Sequence, residues 1–193
     1  MEHTQQRPGL AGRLEDLAAN PSLDRCVRTV DGLTERVLGA GGVRQALAGA
    51  KAGSGLPLHP ALVHFPIGGA FSAAVVDLLG MGAAAGALSA FTAMTAAPTV
   101  VAGLADYAEI DERPAQRLAG AHFAAAATGT SLVVASLATR LAGASGWARV
   151  LLWGGCAAYG VAGMLGGHLV YGSRPDSDEA DGFGAEDRES WAD

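Results

Sequence analysis

The sequence predicts an all-α integral membrane protein, a four-helix bundle of transmembrane spans preceded by an amphipathic helix. Three observations carry this fold class. Half of the 193 residues are hydrophobic and only 17% are charged, whereas soluble domains carry roughly 25% charged residues. Most of the charge sits in residues 1–51 and 174–193, with long uncharged runs between. Ala and Gly are many and aromatics few, which suits helices that approach one another closely in lipid.

Taken in order, residues 1–20 read as a polar, loosely ordered tail. Leu10, Leu14 and Leu17 allow a helical turn or two, which Gly9, Gly12 and Pro21 limit. Residues 21–56 form a helical lead-in and linker. Leu23, Val27, Val30, Leu33, Val37 and Leu38 fall near a helical period, with Asp24, Arg28, Asp31, Glu35 and Arg36 between them. That amphipathic helix ends at Gly39-Ala40-Gly41-Gly42. A shorter helical piece follows from Val43 to Lys51, and Gly53-Ser54-Gly55 and Pro57 lead into the membrane.

Residues 57–173 hold the four spans. A core about 30 Å thick needs about 20 apolar residues per helix, at roughly 1.5 Å each. The first span runs from near His59 to Leu79, with Asp77 near its far end. Gly80, Gly82 and Gly86 make the hairpin, and the second span runs from about Ala83 to Ala105, with Pro98 placed to kink it. The polar loop Asp106 to Arg117 returns the chain. The third span fills the uncharged interval between Arg117 and Arg140, the fourth that between Arg149 and Arg174. A soluble helical core would need polar faces, and the last two spans have none. Gly82-x-x-x-Gly86 and Gly163-x-x-x-Gly167 fit close helix packing. Trp147 and Tyr171 suit interfacial anchors. Residues 174–193 form an acidic tail, expected to be solvated and disordered.

No secretory signal is visible, so the first apolar helix is expected to direct insertion. Arg44, Lys51, Arg113, Arg117 and Arg174 lie on the side shared by both termini, and only Arg140 and Arg149 on the other. The bias predicts a multi-pass protein of the cell membrane with both termini cytoplasmic. Net charge is −6, which excludes nucleic acid as a partner, because phosphate binding needs clustered Lys and Arg. Cys26 and Cys156 form no CxxC and read as free thiols. The water-facing segments are too short to build a soluble active site, so an enzyme is not expected. The sequence sets no oligomeric state.

Chemistry concentrates in the histidines. His59 and His64 open the first span, His122 sits early in the third, and His168 late in the fourth. Topology brings all four to one membrane face at similar shallow depth, where ionisable groups are costly unless paired, hydrated or bound. Imidazoles on facing helices can bracket a haem iron, copper or zinc. His64, His122 and His168 come from three helices and are the preferred cofactor ligands, with His59 nearer water. Asp106 and Tyr107, which close the second span, are the candidates to orient them. No CxxCH, HExxH or CxxC accompanies the layer. The alternative is a layer of histidines that are merely hydrogen-bonded, with proton transfer as a third option.

The stretches Leu58-His59-Pro60-Ala61-Leu62-Val63-His64-Phe65-Pro66-Ile67-Gly68, Gly103-Leu104-Ala105-Asp106-Tyr107, Ala121-His122 and Gly166-Gly167-His168-Leu169-Val170-Tyr171 occur in this order. Over about residues 55–173 the chain resembles domain-of-unknown-function family 2231, a four-helix membrane domain found mostly in bacteria. Some relatives carry a Rieske iron–sulfur domain after the last span. The tail here has no cysteines, so it cannot hold that cluster, which needs two Cys and two His. Two functional readings follow. One is a redox or metal/haem-binding membrane module that passes electrons to a soluble partner. The other is a structural or interaction module with no cofactor. The lipid bilayer is a partner in both.

Overall fold

The computed structural model describes residues 9–55 and 57–172. The acidic tail and the first eight residues, His3 included, lie outside them. Every element is helical: α1 (Leu10–Ala19), a 3₁₀ turn (Pro21–Leu23), α2 (Asp24–Gly39), α3 (Val43–Ser54), α4 (Leu58–Leu62), α5 (His64–Leu78), α6 (Gly82–Tyr107), α7 (Arg113–Leu141) and α8 (Ser145–Tyr171). Four stretches are long and apolar enough to cross a membrane: Leu58–Leu78, Gly82–Tyr107, Arg113–Leu141 and Ser145–Tyr171. Helices α7 and α8 are longer than the uncharged intervals, because α7 carries Arg113, Arg117 and Arg140 and α8 carries Arg149 on turns at their ends.

The first span is broken in two at Val63. Pro66 is the cause. It has no N–H to offer the carbonyl of Leu62, and its ring crowds that same group. The freed Leu62 carbonyl lies 3.4 Å from the Thr99 hydroxyl of α6. Pro98, by contrast, is accommodated inside α6, which continues to Tyr107. Helix α5 packs on α6 and α8, and α7 packs on the same two. The four spans therefore run up and down in sequence, with α5 and α7 diagonal across the centre.

The two hairpins repeat one another at an offset of 63 positions, a relation not read from the sequence. Gly80 and Gly143 both take positive φ, at 78° and 82°. The next residues, Met81 and Ala144, have nearly the same backbone angles. Their N–H groups donate to equivalent carbonyls, Val76 at 3.0 Å and Thr139 at 2.9 Å. Burial follows the same offset: Ala70 with Val133, Ala73 with Ser136, Ala85 with Ala148, Ala96 with Tyr159. Both hairpins run in the same sense, so the quasi-two-fold axis is the bundle axis.

Lipid gives apolar helices no hydrophobic reason to associate, so contact depends on close packing. One such close contact joins α7 and α8. A Cβ on Gly155 would meet Val133 Cγ2 at 2.9 Å and the Gly129 carbonyl oxygen at 3.0 Å. The two sequence motifs act otherwise. Gly82 and Gly86 make room for the Arg140 side chain, and Gly163 and Gly167 have nothing within 4 Å of their Cβ positions. Buried hydroxyls are satisfied within the helix at Ser89, which donates to Ala85 at 2.8 Å, and Thr92, which donates to Leu88 at 3.0 Å, and across helices at Ser136, which donates to the Ala148 carbonyl of α8 at 2.6 Å. Cys156 is buried with its thiol 3.5 Å from the Ala70 carbonyl. Trp147 and Tyr171 are exposed near opposite ends of α8.

Helices α1 and α2 lie against the end of the bundle that bears the histidines. Residues 10–19 are not a loose tail. They form α1, because Leu14 finds a buried seat against Leu118 and Leu165. The apolar stripe of α2 packs Val30 against Leu104, Tyr107 and Ala119. Close approach is possible at Gly120, where a Cβ would come within 3.1 Å of Cys26 Cβ. Arg117 Nε donates to Asp24 at 2.8 Å, Arg117 Nη1 to the Ala19 carbonyl at 3.1 Å, and the Tyr107 hydroxyl to Asp31 at 2.7 Å. Arg113 adds a second cation, 3.3 Å from Asp24.

The hydrogen bond from Arg117 holds the Asp24 carboxyl below its ordinary range, against partial desolvation and with help from the charges of Arg117, Arg113 and Arg28. A depressed carboxylate stabilises the fold fully above its unfolded value, about 3.9, and loses that contribution as pH falls through the lower folded value. Melting of the detergent-solubilised protein should therefore show an acid-side loss of stability beginning as pH falls below about 4. Asp24→Asn should reduce it, while slightly destabilising the protein at neutral pH.

Candidate functional site at the histidine end

The structure brings two of the four histidines together, and they are not the expected set. His59, on α4, and His122, on α7, meet across the bundle with ring centroids 6.0 Å apart and planes 86° to one another. They are repeat equivalents. Each reaches to the second helix of its own hairpin, 40 positions on: His59 Nδ1 is 3.0 Å from the Thr99 carbonyl, and His122 Nδ1 is 2.8 Å from the Ala162 carbonyl. A carbonyl only accepts, so Nδ1 carries the proton in both rings. In the neutral imidazole Nε2 is then left with its lone pair.

Glycines make these positions available. A Cβ on Gly103 would come within 2.9 Å of the His59 ring, and one on Gly166 within 3.1 Å of the His122 ring. Each glycine lies one helical turn beyond the carbonyl that its histidine binds, so a side chain there would occupy the place of the imidazole. His59 is thus half-buried, and His64 is the exposed histidine of the first span.

His64 and His168 stay apart from the pair. His64 is exposed, with Nδ1 3.3 Å from the carbonyl of Ala61 in its own span. His168 lies six residues past Ala162, so at about 100° per residue it is turned about 120° from that face of α8. It lines a groove with Leu10, Leu14, Met164 and Tyr171. Span order brings these residues to one end of the bundle, but it does not fix azimuth. Among the described residues, no three His, Cys, Asp or Glu side chains are grouped to hold a metal ion.

The orienting groups also differ from expectation. Tyr107 gives its hydroxyl to Asp31, so it fastens α2 instead of a histidine. Asp106 lines a groove between α3 and α6 with Arg44, Lys51 and Glu109, where Lys51 pairs with Glu109 at 3.2 Å. Backbone carbonyls take the role assigned to these two side chains. Sequence alone held one clue, the identical spacings from His59 to Gly103 and from His122 to Gly166.

At the opposite end, Asp77 does not reach water. It is 2% exposed, held by Arg140 Nη2 at 2.8 Å and Arg149 Nε at 2.7 Å. Arg149 also donates to the Asp77 backbone carbonyl at 3.2 Å. Asp77 and Arg140 are repeat equivalents too, so the axis passes between a histidine pair at one end and an ion pair at the other.

No curated protein and no solved structure matches the chain. The model of a family described as a predicted membrane protein, domain of unknown function 2231, matches residues 55–177. That interval contains all four spans, both hairpins and the histidine pair, and the chain belongs to this family.

Proposed function

We propose that this chain is a multi-pass module of the cell membrane that holds a metal-centred redox cofactor between His59 and His122. It exchanges single electrons with a soluble carrier, the metal being reduced by one electron as the carrier is oxidised by one, and the reverse. One observation carries this reading. Two imidazoles from different hairpins meet in the bundle, each with its Nδ1–H engaged by a carbonyl, the arrangement that orients histidine ligands for coordination through Nε2. His64, His168 and Asp106 are outside the ligand set in this proposal.

The competing reading, a structural or interaction module without a cofactor, is favoured by the lack of a third donor near the pair among the described residues. Metal analysis and an absorption spectrum of the detergent-purified chain, from cells supplied with haem and metals, separate the two. A stoichiometric metal centre is expected, lost in His122→Ala and kept in His64→Ala and His168→Ala. A colourless, metal-free preparation supports the structural module instead.

Both termini are proposed to be cytoplasmic. Arg44, Lys51, Arg113 and Arg117 flank the spans at the end near α2, while Arg140 and Arg149 at the other end are tied to Asp77. Cysteines placed at Ser54 and Glu112, with Cys26 replaced, should be shielded from an impermeant thiol reagent in intact cells. One at Ser145 should react. Labelling of Glu112 and Ser54 on opposite sides would contradict four spans.

A further inference from the structure

The ion pair at the hairpin end is unequal. Among the described residues this end of the bundle holds three charges, Arg140 and Arg149 against Asp77, so one positive charge is left over. We propose that Arg149 presents this charge to the phosphate of an anionic phospholipid, as a headgroup site at the membrane surface.

The hydrogen bonds of Arg149 show which part of its guanidinium is engaged. Nε donates to Asp77 Oδ2 at 2.7 Å, and Nη2 donates to the Asp77 carbonyl at 3.2 Å. These two atoms form one edge of the planar group. The other edge, Nη1 with the second N–H of Nη2, has no partner among the described residues. Its two parallel N–H bonds match two oxygens of a phosphate. The Arg149 side chain is 51% exposed while the carboxylate behind it is enclosed, so the accessible part lies away from Asp77. Asp77 also holds the fork in one orientation, which lowers the entropy lost when an anion binds. Arg140 does not share the role, because its side chain is enclosed against Gly82 and Gly86.

Depth fits a headgroup. Helix α8 has 27 residues, about 40 Å at roughly 1.5 Å each, against a hydrocarbon core of about 30 Å. About 5 Å, or roughly three to four residues, extends past the core at each end. Arg149 is the fifth residue of α8, and helical side chains lean toward the N-terminus, which carries its guanidinium to the phosphate level. Trp147 is exposed two residues earlier, where an interfacial ring belongs. One turn deeper on the face of Arg149, Trp153 is exposed, and Ala157 is exposed a turn beyond it. They give an acyl chain an apolar wall below the phosphate.

The test uses the full chain purified in detergent and stripped of lipid. It is titrated separately with phosphatidylglycerol, phosphatidylcholine and inorganic phosphate, and binding is read by native mass spectrometry and melting temperature. Phosphatidylglycerol should form a persistent complex and raise the melting temperature. Phosphatidylcholine, whose choline cancels the phosphate charge, and inorganic phosphate should do neither. Arg149→Gln, which can still donate to Asp77, should weaken the complex about tenfold or more. Arg149→Lys keeps the charge but loses the fork, and should fall between the two. Arg44→Gln, at the other end of the bundle, should bind as the unaltered chain does. Melting without lipid reports whether each variant is folded. Undiminished binding in folded Arg149→Gln or Arg149→Lys overturns the proposal, as does equal stabilisation by phosphatidylcholine. Saturable binding of inorganic phosphate that is lost in Arg149→Gln would make the ligand a free anion, and overturns the lipid assignment.

Discussion

Asp77→Asn is expected to destabilise the bundle by about 3 kcal/mol, the lower part of the range for breaking a buried ion pair. The carboxylate is almost wholly enclosed and serves two guanidinium groups at once. Its neutral replacement leaves Arg140, which is 12% exposed, without a counter-charge beside the hydrocarbon region. Arg149 is 51% exposed and can turn to water, so its share of the loss is small. The double variant Asp77→Asn with Arg140→Gln should recover part of the loss, with a coupling of about 1–3 kcal/mol in a double-mutant cycle. Additive losses would mean that the two groups do not interact in the membrane.

Gly155→Leu should be comparably damaging for a steric reason. The obstacle on the Gly129 side is a backbone oxygen, which cannot rotate away, so α7 and α8 must separate. Overpacking of this kind costs typically about 1–3 kcal/mol, and the loss spreads because Tyr159 packs against Gly129 in the same contact. Gly160→Leu is the control. Its Cβ position has nothing within 4 Å, so a leucine there should leave the melting temperature in detergent nearly unchanged. Equal losses at the two sites would show that the α7–α8 contact is not as close as described.

The architecture was legible in the sequence where it depends on length and charge. The uncharged intervals set the number of spans, and the alternating polar positions of Leu23 to Leu38 marked α2. What was not legible depends on azimuth and on partners distant in sequence. Leu14 becomes a docked residue only because Leu118 and Leu165 are there to receive it. Asp77 was read as reaching water because arginines 63 and 72 positions away are not visible from its own helix. The candidate histidines were found by type and depth, but His59 and His122 were paired only by the folded chain. Their equivalence was masked because the repeat conserves backbone geometry and burial more than residue identity. Ala70 stands opposite Val133 in register, Ala96 opposite Tyr159, and Asp77 opposite Arg140. The shared histidine, the hairpin glycine and the glycine under each imidazole are the legible remnant.

The pairing of His59 with His122 is tested most directly by magic-angle-spinning NMR of the protein in liposomes, with its histidines labelled in ¹³C and ¹⁵N and any metal removed. Ring-to-ring correlations are expected between His59 and His122, with Nδ1 protonated in both, and none joining either ring to His64 or His168. Correlations linking His64 or His168 with His122, in place of His59, would contradict it.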